Sequence, residues 1–115
     1  MEIGYDKPKL EKYFDNYTEM QKKIGPPLTK CVKLRINQLG AATTFQEYLD
    51  IGLGKPHDLS GVDHGCYGIS LTANYRLVVY PDADDLSSES LSNCKKVFIK
   101  GVIDYHGSHR SVLIP

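Results

Sequence analysis

Apolar residues recur along this chain with two periods. Leu10, Phe14, Tyr17, Met20 and Ile24 follow one another at helical spacing. That stripe predicts a helix beginning near Pro8, with Asp6 as a possible cap, and stopping at Gly25-Pro26-Pro27. A second stripe, Leu28, Val32, Ile36 and Leu39, predicts a second helix ending near Gly40. The short break between the stripes predicts an antiparallel helical hairpin. Thr43 or Thr44 is placed to cap a short third helix through Phe45, Tyr48 and Leu49.

The period then changes to two. Tyr67, Ile69 and Leu71 alternate with Gly68 and Ser70, which predicts a strand. Thr72-Ala73-Asn74 reads as a tight turn, Tyr75 to Tyr80 as the next strand, and Pro81 as its end. Lys96 to Tyr105 reads as the longest strand, and Glu2 to Tyr5 as a short first one. The acidic, Ser-rich stretch 82–94 reads as an exposed loop with one helical turn from Leu86 to Leu91. Residues 107–115 read as a tail, with Val112-Leu113-Ile114 able to dock.

The order strand, helices, three strands predicts a single α+β domain over 1–115. Its N-terminal strand and helical hairpin would pack on one face of a small, mostly antiparallel sheet, leaving the other face open. Strand parity divides the side chains between those faces. Tyr67, Ile69, Leu71, Tyr75, Leu77 and Val79 go to the helices, while Gly68, Ser70, Arg76, Val78 and Tyr80 go to the open face. An unbroken period of two in the last strand puts Phe98, Lys100, Val102, Asp104 and His106 on a common face. With the matching register, Arg76, Asp104 and His106 meet on the open face, and Tyr105 turns towards the helices.

Composition changes the picture in three places. The chain has 115 residues, enough to bury a core without disulfides or metals. Its three cysteines, Cys31, Cys66 and Cys94, are odd in number and scattered, which fits a reducing, cytoplasmic setting; Cys31 falls on a helical stripe and is expected in the core. No apolar run reaches the ~18 residues of a membrane span, and the first residues do not resemble a signal peptide. The formal net charge is zero, where a nucleic-acid binder usually carries a basic excess. The charges are nevertheless segregated: Lys22, Lys23, Lys30 and Lys33 flank the helical turn, and Asp82, Asp84, Asp85 and Glu89 sit in the later loop. An acidic partner would be steered to the lysines.

Metal chemistry has little sequence support. His57, His64, Cys66 and His106 are ligand types, but their spacing matches no zinc pattern. Gly52-Leu53-Gly54 alone is a loop signal rather than a nucleotide fingerprint. No cofactor is expected. The remaining reactive groups suit phosphate chemistry, in which a cation stabilises the charged transition state and proton-transfer groups serve the attacking and leaving oxygens. His serves as base or acid near neutral pH, and Arg matches phosphate with a planar fork. For each residue the bland reading stands beside this one: Arg76 as a solvated sheet charge, Asp104 as its structural partner, Tyr105 as core or rim, and His57, His64 and His106 as surface residues.

The ordered set Leu59-x-Gly61, Gly65-x-Tyr67-x-Ile69, Tyr75-Arg76-Leu77 and Asp104-Tyr105-His106, behind two helices, resembles the RelE/ParE toxin superfamily, and its HigB branch most closely. The resemblance runs from Glu2 to His106. It implies a type II toxin that enters the ribosomal A site and cuts mRNA without a metal. It also implies a cognate helix-turn-helix antitoxin that neutralises the toxin. By the same resemblance, Arg76 stabilises the scissile phosphate, and Asp104, Tyr105 and His106 match the family's C-terminal run. His57 matches a His that precedes the Leu-x-Gly element in several relatives. Mechanistically, His106 and His57 would exchange protons while Asp104 orients His106.

The chain departs from the family between Leu59 and the later glycine. Where relatives read Lys-Gly-Asp-Arg-Lys or similar, it reads Ser60-Gly61-Val62-Asp63-His64. Two or three cations that would meet RNA phosphates are absent from that stretch. This leaves a second reading open, in which the same scaffold is a non-catalytic inhibitor or binding module, as in the ParE branch that acts on DNA gyrase.

Overall fold

A computed structural model describes residues 1–59, 61, 63–106 and 109–114; His106, His109 and Arg110 are described by their backbone alone. Strand β1 spans Glu2–Tyr5. A 3-10 turn, Pro8–Leu10, leads into α1, Glu11–Phe14, and then α2, Tyr17–Ile24. The single helix expected here is broken because Asn16 is extended and caps α2, its Oδ1 accepting from the Thr18 N–H at 3.1 Å. Helix α3 spans Pro26–Ala41. Pro26 and Pro27 therefore open a helix rather than merely closing one, since proline's missing N–H costs nothing in a first turn. Gly25 makes the junction at φ 86°, a conformation that favours glycine.

Helix α4 spans Phe45–Ile51. Thr44 Oγ1 accepts from the Glu47 N–H at 3.1 Å, and Glu47 Oε1 accepts in return from the Thr43 N–H at 3.3 Å. The remaining elements are β2 (His57–Asp58), β3 (Tyr67–Ser70), β4 (Tyr75–Pro81), α5 (Ser88–Ser92), β5 (Lys96–His106) and β6 (His109–Ile114). Residues 109–114 are thus a strand, not a tail. Ser111, Val112 and Ile114 pair antiparallel with β5, and Ile114 is fully buried.

The fold is α+β with a mixed sheet in the order β1-β5-β4-β3-β2, β6 also pairing with β5. The β1–β5 pairing is parallel and the others are antiparallel. One sheet face carries the main core, where Leu10, Phe14, Met20, Val32, Leu39 and Phe45 meet Ile69, Leu77, Val79, Val97, Ile99 and Val102. The opposite face carries a smaller buried cluster of Leu59, Cys66, Val78 and Ile103, flanked by Tyr80 and Tyr105. Cys31 is half-buried and packs against the main core rather than inside it.

A β-bulge in β5 governs which residues reach that second face. Val78 pairs with Gly101 but Val79 pairs with Ile99, so Lys100 is an extra residue. Before the bulge, Val97 and Ile99 face the helices, and Phe98 stacks on Tyr80 on the other side at 5.1 Å. After it, Val102 faces the helices while Ile103 and Tyr105 join the opposite cluster. The expected unbroken alternation along β5 is therefore corrected: parity reverses at Lys100–Gly101.

Candidate functional site

The helix-free face gathers several of the groups expected from sequence and rejects one. Arg76 pairs with Ser70 on β3 and with Ile103 on β5, so it lies on this face. Its Nη1 donates to Ala73 O at 3.0 Å and Tyr75 O at 2.9 Å. The β3–β4 turn thereby holds the guanidinium at the sheet's end, with Ala73 at φ 47° closing that turn. A guanidinium has five N–H donors, so one nitrogen bound to the backbone leaves others to offer.

Tyr105 is corrected from the helix side to the open face by the bulge. It stands two residues beyond Ile103, the partner of Arg76, which makes the two diagonal neighbours with Cα atoms about 7–8 Å apart. Its N–H donates to Asn74 O at 2.9 Å, while its buried hydroxyl finds no hydrogen-bond partner among the described residues. A buried phenol usually has one.

His57 lies exposed on the edge strand β2, opposite Gly68. A Cβ at Gly68 would stand in ordinary contact with the histidine ring, 3.5 Å from His57 Cε1. Only Gly68 and Ser70 of β3 intervene between His57 and Arg76 on this face. By ordinary strand spacing the two are about 10 Å apart across the sheet and about 7 Å along it, about 12 Å in all.

Asp104 does not join them. It pairs with Tyr75, shares the pleat of Val102 and is 8% exposed, so it belongs to the helix side. The expected meeting of Arg76 and Asp104 on the open face is overturned, again because of the extra residue at the bulge. The backbone of His106 pairs with His109 at the end of β5. The predicted position of its ring lies outside the described residues, as does Ser60.

Sequence reasoning missed a second cluster further along the same face. Lys100 Nζ lies 3.8 Å from Asp63 Oδ1 and 4.0 Å from Cys66 Sγ. Tyr80 donates its hydroxyl proton to Asp6 Oδ1 at 2.7 Å. Parity did place Tyr80 and Lys100 outward. No local signal joins Asp6 to a residue 74 positions away. Asp6, Cys66, Tyr80 and Lys100 line a cleft of about 690 Å³ together with exposed His64. Burial, and then the hydrogen bond to Asp6, push the Tyr80 hydroxyl up to about 12. Tyr80 is consequently a proton donor at neutral pH, not a base. Burial also pushes Tyr48, which donates to Leu53 O at 2.7 Å, up to about 12.

Both tyrosines bind their protons more tightly folded than unfolded. Their contribution to stability is complete below about pH 10 and is lost as pH rises through about 12. Urea denaturation across that range is expected to show falling midpoints, with a shallower fall in Tyr80→Phe. An identical alkaline slope in that variant would show that the Asp6 contact contributes nothing to it.

Among the described residues, no group of three or more His, Cys, Asp or Glu is arranged to hold a metal, and no helix is long and apolar enough to cross a membrane. Comparison of the chain with protein-family models, with curated proteins and with solved structures finds no match.

Proposed function

We propose that the chain is a HigB-like toxin of the RelE/ParE superfamily, a cytoplasmic, metal-independent endoribonuclease that cuts mRNA on the ribosome and is neutralised by a cognate helix-turn-helix antitoxin. The observation that carries this reading is the grouping of Arg76, Tyr105 and His57 on the helix-free face. Arg76 binds the scissile phosphate and stabilises the charge that grows on it. His57 takes the proton of the attacking 2′-OH, leaving a 2′,3′-cyclic phosphate. The departing 5′-oxygen takes its proton from the Tyr105–His106 end of β5. Asp104 is assigned no part in proton transfer on this face. The exposed lysines Lys22, Lys23, Lys30 and Lys33 around the α2–α3 junction are the steering surface for an acidic antitoxin segment.

Induced expression is expected to arrest growth, with primer extension revealing cuts in translated mRNA. Co-expression with an adjacent helix-turn-helix reading frame is expected to relieve the arrest. The burial of Asp104 and the zero net charge favour one other reading, a non-catalytic inhibitor on the same scaffold. Arrest with intact mRNA and impaired DNA supercoiling would establish that reading in place of the nuclease.

A further inference from the structure

In the sheet, β1 and β6 flank β5 one after the other, β1 pairing with its residues 96–99 and β6 with 102–106. The bulge falls between them. At this junction lies a pit of about 160 Å³. Val78, Ile103 and half-exposed Val112 line it, and Gly101 contributes no side chain to fill it. Four charges surround these apolar surfaces: the ammonium groups of Lys7 and Lys100, and the carboxylates of Asp6 and Asp63.

We infer that this pit binds the cytosine base of a single-stranded RNA, with its phosphate on Lys7 and Lys100. The inference rests on the ribonuclease reading and adds a subsite to it. Size is the first argument. An apolar cavity of about 150 Å³ accommodates a benzene ring, so this pit matches one six-membered ring. Charge is the second. Lys7 offers an ammonium to a phosphate, and Lys100 joins it by exchanging its 3.8 Å contact with Asp63, while the Asp6 carboxylate accepts from the exocyclic amine of cytosine. Uracil presents a carbonyl oxygen at that position and would set an acceptor against an acceptor. A carboxylate offers about four lone-pair sites, so the bond from Tyr80 leaves Asp6 able to accept from a base. Position is the third argument. Ile103, which lines the pit, is the direct cross-strand partner of Arg76. An RNA phosphate held by Arg76 thus brings a neighbouring nucleotide to the pit.

The test titrates the intact protein, without ribosomes, with cytidine, uridine, adenosine and guanosine 5′-monophosphates, and separately with N-acetyl-phenylalanine amide. Methyl resonances of Val78, Ile103 and Val112 report occupancy. Cytidine monophosphate is expected to shift them saturably, and to bind about tenfold or more tighter than uridine monophosphate. Val112→Trp, which fills the pit from its exposed side, is expected to abolish the shifts. Lys7→Ala is expected to weaken the nucleotide but not the free nucleoside cytidine, which has no phosphate. Equal binding of uridine monophosphate, absence of saturable shifts, or occupancy by the phenylalanine amide alone would overturn the inference, the last in favour of a partner protein's side chain. A protein that binds cytidine monophosphate but neither arrests growth nor cuts mRNA overturns the ribonuclease reading alone. One that cuts mRNA without binding it overturns the subsite alone.

Discussion

Arg76→Ala is expected to lower ribosome-dependent mRNA cleavage by about 10²–10³-fold while leaving the protein folded. That magnitude is the usual loss on removing one group aimed at developing transition-state charge. Among the described residues the guanidinium makes two hydrogen bonds, to the carbonyls of Ala73 and Tyr75, at a half-buried position, so its structural contribution is about 1–2 kcal/mol. Arg76→Lys keeps the charge but loses the fork, and is expected to recover only part of the activity. Asp104→Asn provides the contrast. Its carboxylate is buried on the helix side, so the variant is expected to lose thermal stability and keep its activity per folded molecule. Thermal denaturation alongside single-turnover cleavage separates the two. Full cleavage by Arg76→Ala would remove the proposed mechanism. Loss of cleavage at unchanged stability in Asp104→Asn would return Asp104 to the chemistry.

Gly54→Ala is expected to destabilise the fold by about 3 kcal/mol, among the larger effects of a single methyl group. Two causes act together. Gly54 has φ 77°, where an L side chain is strained. A Cβ there would also lie 2.6 Å from Ile69 Cγ2 and 2.9 Å from Arg35 Nε. Neither neighbour can easily yield. Ile69 is fully buried, and Arg35 Nε donates to Ser70 O at 2.9 Å, tying α3 to β3. The Gly54 carbonyl accepts from the Ser70 N–H at 2.7 Å, so backbone retreat would break that bond. Gly52→Ala is the control: it shares a positive φ, but its Cβ would approach nothing closer than 3.8 Å. Denaturation midpoints should fall much less for it than for Gly54→Ala.

The sequence made the elements legible wherever the cause was local. Thr44 capped α4 as its side chain allowed, and the apolar stripes of α2 and α3 became core. Parity in β3 and β4 placed Ile69, Leu77 and Val79 inside and Val78 and Tyr80 outside, as read. The errors arose where one residue changes the count. Asn16, apparently a polar position within a helix, ends one and starts another. Lys100 adds one position to β5, which exchanges the faces of Asp104 and Tyr105. A bulge has no reliable mark in alternation when Gly101 follows directly and can be read as a small strand residue. The site was legible as a set of residue types, but not as a set of neighbours. Asp6–Tyr80 and Asp63–Lys100 are distant in sequence, and each pairing exists only because the sheet assembles.

That assembly also has a schedule. Glu2 of β1 pairs with Lys96, 94 residues downstream. At synthesis rates of about 5–20 residues per second, β1 waits about 5–20 s for its partner to be made. During that interval Ile3 and Tyr5 have no strand to lie against, and the helices α2 and α3 have at most the β3–β4 hairpin to cover. Long-range parallel pairing is also slow to form once both strands exist. The period of greatest exposure to aggregation and proteolysis therefore ends only after β5 has emerged, and a partner that holds the early helices during that interval would raise the yield of folded protein.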